Sequence, residues 1–402
     1  MLPLDFPCSP LSPAPTSAPT APRSSRHAGR RRAGVATALA LGIALVTTGC
    51  TSGDAASGDG ITGVGTGTGT GTAATPLDEL DVPADLRTLE GPSTAVLASD
   101  EVVPLVDPGT ASLPAQVTSR DLTGDTPQVV TDTSRLLALD ISGALAATVT
   151  GLGLGDLLVG RDVSTTFDSA ADLPVVTKEG HSINAEAVLA LEPTLVITDG
   201  SIGPTDVVQQ LRQSGVTVVY VENEPSPAGA GDLARSVGAA LGVPAAGEAL
   251  ADEVDARTKE VQAQIAGLAP AAEADRLRIA FLYLRGSAGI YYLLGEGTGA
   301  DALVDGLGGV DVAAEIGWVG ARPMTDEALV AADPDVFLVM TGGLESAGGV
   351  DGLLAAKPAV ALTAAGEHRR FVDMADGQVL SFGPRTPEVL AALARAVYAP
   401  GQ

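Results

Sequence analysis

The sequence predicts an α/β protein of two Rossmann-like lobes with parallel sheets, joined by one long connector helix. The first observation behind this is a duplication. Asn184 to Ile197, reading Asn-Ala-Glu-Ala-Val-Leu-Ala-Leu-Glu-Pro-Thr-Leu-Val-Ile, returns as Thr325 to Leu338, reading Thr-Asp-Glu-Ala-Leu-Val-Ala-Ala-Asp-Pro-Asp-Val-Phe-Leu. A helix-forming run, an acid-Pro stop and an apolar strand recur in one order, so the chain holds two similar lobes. The second observation is alternation of strand and helix patterns in both halves, which argues sheets covered on both faces. The third is the stretch from Ala245 to about Gly267, strong helix former throughout with apolar residues at helical spacing, which falls between the lobes.

In chain order, residues 1–49 read as an export signal. Arg30-Arg31-Arg32 precede the apolar run Ala33 to Val46, the length of a signal-peptide core and short for a bilayer span. The run ends at Thr47-Thr48-Gly49-Cys50, which resembles a lipobox in which Cys50 is lipidated and becomes the mature N-terminus; Thr47 stands where Leu is usual. The Arg cluster leaves Sec and twin-Arg export both open. Cys8 would be removed and Cys50 acylated, so the fold must hold without a disulfide.

Residues 50–75 are Gly/Thr-rich, with strict Gly-Thr alternation from Gly65 to Thr72, and read as a flexible tether. Residues 76–130 read as an extended leader with a strand or two. The N-terminal lobe spans 131–243, the connector helix 244–268 and the C-terminal lobe 269–402.

Charge narrows the partners. The 402 residues carry 23 Lys and Arg against 49 Asp and Glu, a net −26. Residues before Cys50 hold five Arg and one Asp, so the mature part carries 18 basic and 48 acidic residues, a net −30. Such a surface repels nucleic acid and anionic lipid, so membrane contact is expected only through the anchor.

Within the N-terminal lobe the pattern predicts a strand and helix around Leu136 to Leu154, then strand Leu173 to Thr177, helix Ala185 to Ala190, strand Thr194 to Thr198, helix Thr205 to Ser214 and strand Val216 to Val221. The C-terminal lobe opens with strand Leu277 to Tyr283, followed by helix Ala300 to Leu307, helix Asp326 to Ala332, strand Val336 to Met340 and a last helix Pro387 to Tyr398. Ligands of open α/β sheets sit off the carboxyl ends of strands. Tyr283, Arg285, Thr198, Asp199, Met340 and Thr341 all fall there.

Tyr283 and Arg285 are two apart on an extended segment and so project to one side. A guanidinium beside a phenol favours the phenolate, a hard anionic ligand suited to ferric iron. His181 is one of three His in the chain and sits in a polar loop directly before the first copy of the repeat. A His from one lobe facing a Tyr from the other would supply two axial ligands across a cleft, with the equatorial positions left to a porphyrin. A packed Tyr with a solvated Arg and an isolated loop His are the plain alternatives.

The chain resembles the haem-binding lipoproteins that serve ABC importers in Gram-positive bacteria, a branch of the class III substrate-binding proteins. The resemblance is carried by Ser134-Arg135-Leu136-Leu137-Ala138-Leu139-Asp140, Gly153-Leu154-Gly155-Asp156 through Val159-Gly160-Arg161-Asp162, Gly180-His181-Ser182, Phe281-Leu282-Tyr283-Leu284-Arg285-Gly286 and Met340-Thr341-Gly342-Gly343-Leu344-Glu345-Ser346. It covers most of the chain from Thr131 to Tyr398. It implies His181 and Tyr283 as axial ligands of the haem iron and Arg285 as the partner of the phenol. Trp318, Arg322, Met340 and Arg161 are candidates for the haem pocket. Glu186 and Glu327, at matching places in the two copies, are implied as the acids that dock on the permease; a first-turn Glu also suits the helix dipole, worth ~0.3–1 kcal/mol.

These readings add up to a lipid-anchored receptor on the outer face of the cytoplasmic membrane, a monomer that catalyses nothing. It would bind haem b as transported ligand, for iron acquisition, and pass it to an ABC permease and its ATPase. Haem-donating surface proteins are further expected partners. The alternatives are a receptor for a siderophore-iron chelate or corrinoid and, more distantly, a tethered hydrolase using Ser182. For the hydrolase, Gly180-His181-Ser182-Ile183-Asn184 misses the nucleophile elbow because Asn184 replaces the final Gly, and His368 lies far along the chain. Gly151-Leu152-Gly153-Leu154-Gly155 lacks the spacing of a dinucleotide loop. No Cys or His cluster suggests a zinc carrier.

Overall fold

The structure, a computed structural model, describes residues 75–121, 124–178 and 181–402. The export signal, Cys50, Gly180 and all but the last residue of the tether therefore lie outside the described residues. Among the described residues no helix is long and apolar enough to cross a membrane.

The strands in chain order are β1 (Ser93–Ala95), β2 (Ala115–Asp121), β3 (Gly124–Val130), β4 (Leu136–Leu139), β5 (Thr177–Lys178), β6 (Ser182–Ile183), β7 (Leu195–Thr198), β8 (Thr217–Tyr220), β9 (Arg278–Arg285), β10 (Ile290–Leu294), β11 (Val310–Asp311), β12 (Ala321–Pro323), β13 (Val336–Met340) and β14 (Phe371–Met374). In the N-terminal lobe β4, β7 and β8 form a parallel sheet in that order. In the C-terminal lobe the order is β1-β14-β13-β9-β10-β12, with β11 pairing the start of β9.

Continuous apolar runs make both sheets two-sided. In β4, Leu136 and Ala138 join a core that includes the helix Ala144–Gly151, while Leu137 and Leu139 join another that includes Val188 of the helix Ala185–Ala190. In β9, Ile279 and Phe281 face the final helix Thr386–Tyr398, and Ala280, Leu282 and Leu284 face the opposite core. Each fully buried aliphatic side chain contributes roughly 1.5–3 kcal/mol, so the alternation alone fixes which face of each strand is which.

The two-lobed α/β expectation is borne out, and the repeated helix Asp326–Ala332 and strand Val336–Met340 occupy the residues the pattern assigned. The helix Pro244–Leu268 follows the N-terminal lobe and enters the next, its Leu250 and Val254 in the first core and Ile265 in the second.

Besides β14 and the short helices between β13 and β14, which the pattern leaves unassigned, four features depart from expectation. The C-terminal sheet is mixed, because β10 and β12 pair antiparallel beyond β9. The expected strand from Leu173 is reduced to β5, since Pro174 lacks the N–H a ladder needs; only an isolated bridge joins Arg161 to Val175. A helix, Gly229–Ala240, stands where none was expected. The leader is shared between lobes: β1 is an edge strand parallel to β14, Val102 lies in the N-terminal core, and the hairpin β2–β3 reaches β8 through Ser119, whose hydroxyl accepts the Tyr220 N–H at 2.9 Å.

Arg370 fastens the leader to the final helix. Its buried guanidinium donates to Ser93 Oγ at 2.8 Å and to the carbonyls of Ala396 and Val397 at 2.6 and 2.9 Å, and burial pushes its pKa down to about 10.

Candidate ligand-binding site

The N-terminal half of the site hangs from two buried carboxylates at the end of β4. Asp140 accepts from Ser142 Oγ at 2.6 Å and from the N–H groups of Ser142, Ala144 and Leu145, each at 3.1 Å, which starts the helix Ala144–Gly151. Asp162 accepts the Asp140 N–H at 3.0 Å and both the N–H and Oγ of Thr165, at 2.7 and 3.0 Å. Burial, then the charges of Asp162 and Asp199, push the Asp140 carboxyl up to about 7 despite these donors; burial raises Asp162 as well. The two acids together pin the loop that carries Ser164.

Ser164 in turn holds His181. The Ser164 hydroxyl donates to Ile141 O at 2.6 Å, and its oxygen lies 3.1 Å from His181 Nε2. With the hydroxyl proton on Ile141 O, the imidazole donates through Nε2–H, and Nδ1 accepts no hydrogen bond among the described residues. His181 has φ 62°, a left-handed conformation uncommon outside glycine. Ile141 and Val163, beside this contact, are 53% and 45% exposed, large apolar side chains at the carboxyl end of the sheet.

The C-terminal half is built on β9. The Arg285 guanidinium carbon lies 4.5 Å from the centre of the Tyr283 ring, so the two side chains meet as their spacing predicts. Arg285 Nη1 donates to Leu284 O at 2.8 Å and Nη2 to Asp376 Oδ2 at 3.2 Å. The other oxygen of Asp376 accepts the Gly342 N–H at 2.8 Å. Met340, at the end of β13, packs in the same hydrophobic group as Tyr283, and Tyr292 of β10 stands directly opposite Tyr283 in the antiparallel register.

The halves touch. A Cβ on Gly377 would lie 2.6 Å from both Ser164 O and Thr166 Oγ1, and one on Gly143 would lie 2.7 Å from the same Ser164 oxygen. Only glycine lets the backbones approach this closely. A run of direct neighbours therefore connects the two candidate ligands: His181, Ser164, Gly377, Asp376, Arg285 and Tyr283.

Other candidates fall elsewhere. Trp318 donates from Nε1 to Leu293 O at 3.1 Å, carries the Arg322 guanidinium 4.9 Å from its ring, and packs with Leu293 and Leu284 on the face of the sheet opposite to Tyr283. The structure does not bring this pair together with Tyr283. Arg161 spends Nη1 on the carbonyls of Thr165 and Asp162, at 3.0 and 3.3 Å, so it braces the Ser164 loop. Glu186 and Glu327 are exposed in the first turns of the two repeated helices.

Sequence reasoning missed Ser164, Asp376, Tyr292 and the apolar pair Ile141 and Val163. Only Tyr292 left a signal, as a second Tyr in an apolar run closely following Tyr283.

The family described as Periplasmic binding protein matches residues 141–376. A curated relative from Halobacterium salinarum, named Cobalamin-binding protein, is 26% identical over 285 residues, 70% of this chain and 74% of its own. Among solved structures, heme binding protein HmuT is 42% identical with a TM-score of 0.74, covering 79% of this chain and 100% of that one. The periplasmic heme-binding protein RhuT from Roseiflexus sp. RS-1, in apo form, is 34% identical with a TM-score of 0.58, covering 66% and 100%. BhuT in complex with two hemes is 31% identical with a TM-score of 0.57, covering 65% and 97%. The family match spans more than half the sequence, and a solved relative above 40% identity aligns over its full length. The chain thus belongs to the periplasmic binding protein family, in its class III form.

Proposed function

We propose that this protein is an extracytoplasmic haem receptor that passes its ligand to an ABC permease and its ATPase and catalyses nothing itself. The observation that carries the reading is the Arg285 guanidinium against the Tyr283 ring at the carboxyl end of β9. Tyr is an established ligand of haem iron, and a guanidinium against its ring fixes where that side chain stands. Heme-binding relatives at 31–42% identity support the same ligand class.

In this reading Tyr283 is one axial ligand and His181 the other, while the porphyrin supplies the four equatorial nitrogens. Met340 shares the Tyr283 face, and Ile141 and Val163 offer apolar surface beside His181. Nδ1 of His181 can ligate while Nε2–H stays on Ser164; ligation through Nε2 requires the ring to leave Ser164. Lipidation of Cys50 would hold the receptor to the outer face of the cytoplasmic membrane, and Glu186 and Glu327 would meet basic residues of the permease.

Titrating the purified protein with haemin tests the reading: a saturable Soret band with phenolate-to-ferric charge-transfer absorption supports it, and haemin that stays unbound removes it. A corrinoid receptor is the second reading, favoured by the cobalamin-binding relative. It needs no protein ligand to the metal, so corrinoid binding that survives loss of both Tyr283 and His181, with no haemin uptake, would select it.

A further inference from the structure

Resting on the haem reading, we infer that Asp376 is a positioning residue for the Tyr283 half of the site, holding Arg285 on the face of the phenol ring. Arg285 is a long side chain with many rotamers, and a guanidinium on a partly exposed ring is a weak contact by itself. Asp376 is the acid that forms an ion pair with it among the described residues, at 3.2 Å from Nη2.

The acid is itself fixed. Its second oxygen takes the Gly342 N–H at 2.8 Å. Its chain neighbour Gly377 lies against Ser164 O of the other lobe. Two consecutive glycines make room for the pair: a Cβ on Gly342 would stand 3.1 Å from Asp376 Oδ1, and one on Gly343 would stand 3.2 Å from Arg285 Nη1 and 2.9 Å from Leu284 O. With Nη1 on Leu284 O and Nη2 on Asp376, both terminal nitrogens of the guanidinium are directed, which sets its plane over Tyr283.

The charge of Asp376 and its hold on Arg285 act in opposite directions. If Asp376 mattered only as a nearby negative charge, removing it would strengthen the bond between an anionic phenolate and ferric iron. If it matters by holding Arg285, removing it weakens that bond, and only while Arg285 is present.

The experiment has a haem-free arm and a haem arm. In the haem-free protein, the Arg285 side-chain NMR signal, assigned by its loss in Arg285→Ala, carries the upfield ring-current shift of a group above an aromatic face. Asp376→Ala and Asp376→Asn are both expected to remove that shift; Asn retains an acceptor for Gly342 and so guards against a local folding defect. In the ferric haem complex, Asp376→Ala and Arg285→Ala should each speed haem loss to a scavenging apoprotein by about two- to fivefold, the scale of a partly exposed ion pair. The double variant should be no faster than Arg285→Ala alone.

An Arg285 signal that stays shifted in both Asp376 variants overturns the inference. So does slower or unchanged haem loss in Asp376→Ala, or an effect that adds in full to that of Arg285→Ala. A wild-type protein that takes up no haemin overturns the haem reading instead, and the haem-free arm still decides whether Asp376 holds Arg285.

Discussion

Arg135 and Arg278 close the two copies of the repeated helix in the same way. Arg135 donates from Nε to Glu192 O at 3.1 Å and from Nη2 to Leu191 O at 2.6 Å, and Arg278 donates from Nη1 to Asp333 O at 2.8 Å. The backbone carbonyl of each Arg accepts the N–H two residues past the acid-Pro acid, from Thr194 at 2.9 Å and from Asp335 at 2.8 Å. Both acids, Glu192 and Asp333, are left-handed, with φ 46° and 42°. The duplication seen in the sequence is thus a duplicated joint, in which a cation meets the carbonyl end of a short helix.

Arg135→Ala and Arg278→Ala are each expected to destabilise their lobe by about 1 kcal/mol, the scale of a charge-assisted bond at a helix C-terminus. Urea unfolding followed by far-UV circular dichroism checks this. A change below a few tenths of a kcal/mol would show the joint to be held by its backbone bonds alone.

The raised carboxyl of Asp140 gives the stability of the N-terminal lobe a pH dependence. A folded-state value of about 7 against the ordinary 3.8 means that the folded state binds more protons between about pH 4 and pH 7. Stability from this group is full below the unfolded value and is lost as pH rises through the folded one. Asp140→Asn should lower stability overall, since one amide oxygen replaces two carboxylate acceptors, and should flatten the slope across that window. Urea midpoints at several pH values measure both effects; an unchanged slope would assign the pH dependence to another group.

If Glu186 and Glu327 dock on a permease as proposed, docking is expected to be separable from ligand binding. Glu186 and Glu327 are exposed on equivalent helices, and neither is among the residues that connect His181 to Tyr283. Reversing both to Lys is expected to leave the haem spectrum intact while haem uptake by cells, or permease ATPase stimulation, falls severalfold. Single exposed pairs are worth ~0–1 kcal/mol, but two on one rigid body also set orientation, and repulsion replaces attraction. Uptake equal to wild type would leave both acids as helix-start residues only.

The parts legible in the sequence were those with local signals. Unbroken apolar runs located β7, β9 and β13 to within two residues, and the acid-Pro stops ended both repeated helices. The helix Gly229–Ala240 was hidden by its glycines, whose propensity is poor. They serve tertiary packing: a Cβ on Gly238 would lie 2.6 Å from the Gly247 Cα of the connector helix. The edge strand β12 was hidden because Ala321–Pro323 is three exposed residues ending on Pro, which carry no strand pattern.

The site divides the same way. Tyr283 and Arg285 meet because they are two apart on one strand, which sequence displays. Ser164 and Asp376 reach their partners across 17 and 91 positions, a relation that only the folded chain creates.

If ferric haem is held between Tyr283 and His181 as proposed, the Tyr oxygen is the stronger ligand, because an anionic ligand adds charge where a neutral imidazole adds little. Haem retention and absorption spectra of Tyr283→Ala, His181→Ala and the double variant, loaded with haemin beside the wild type, test it most directly. Tyr283→Ala should abolish the charge-transfer band and lose more haem than His181→Ala, and the double variant should retain almost none. Full occupancy with an unaltered spectrum in the double variant would contradict the claim.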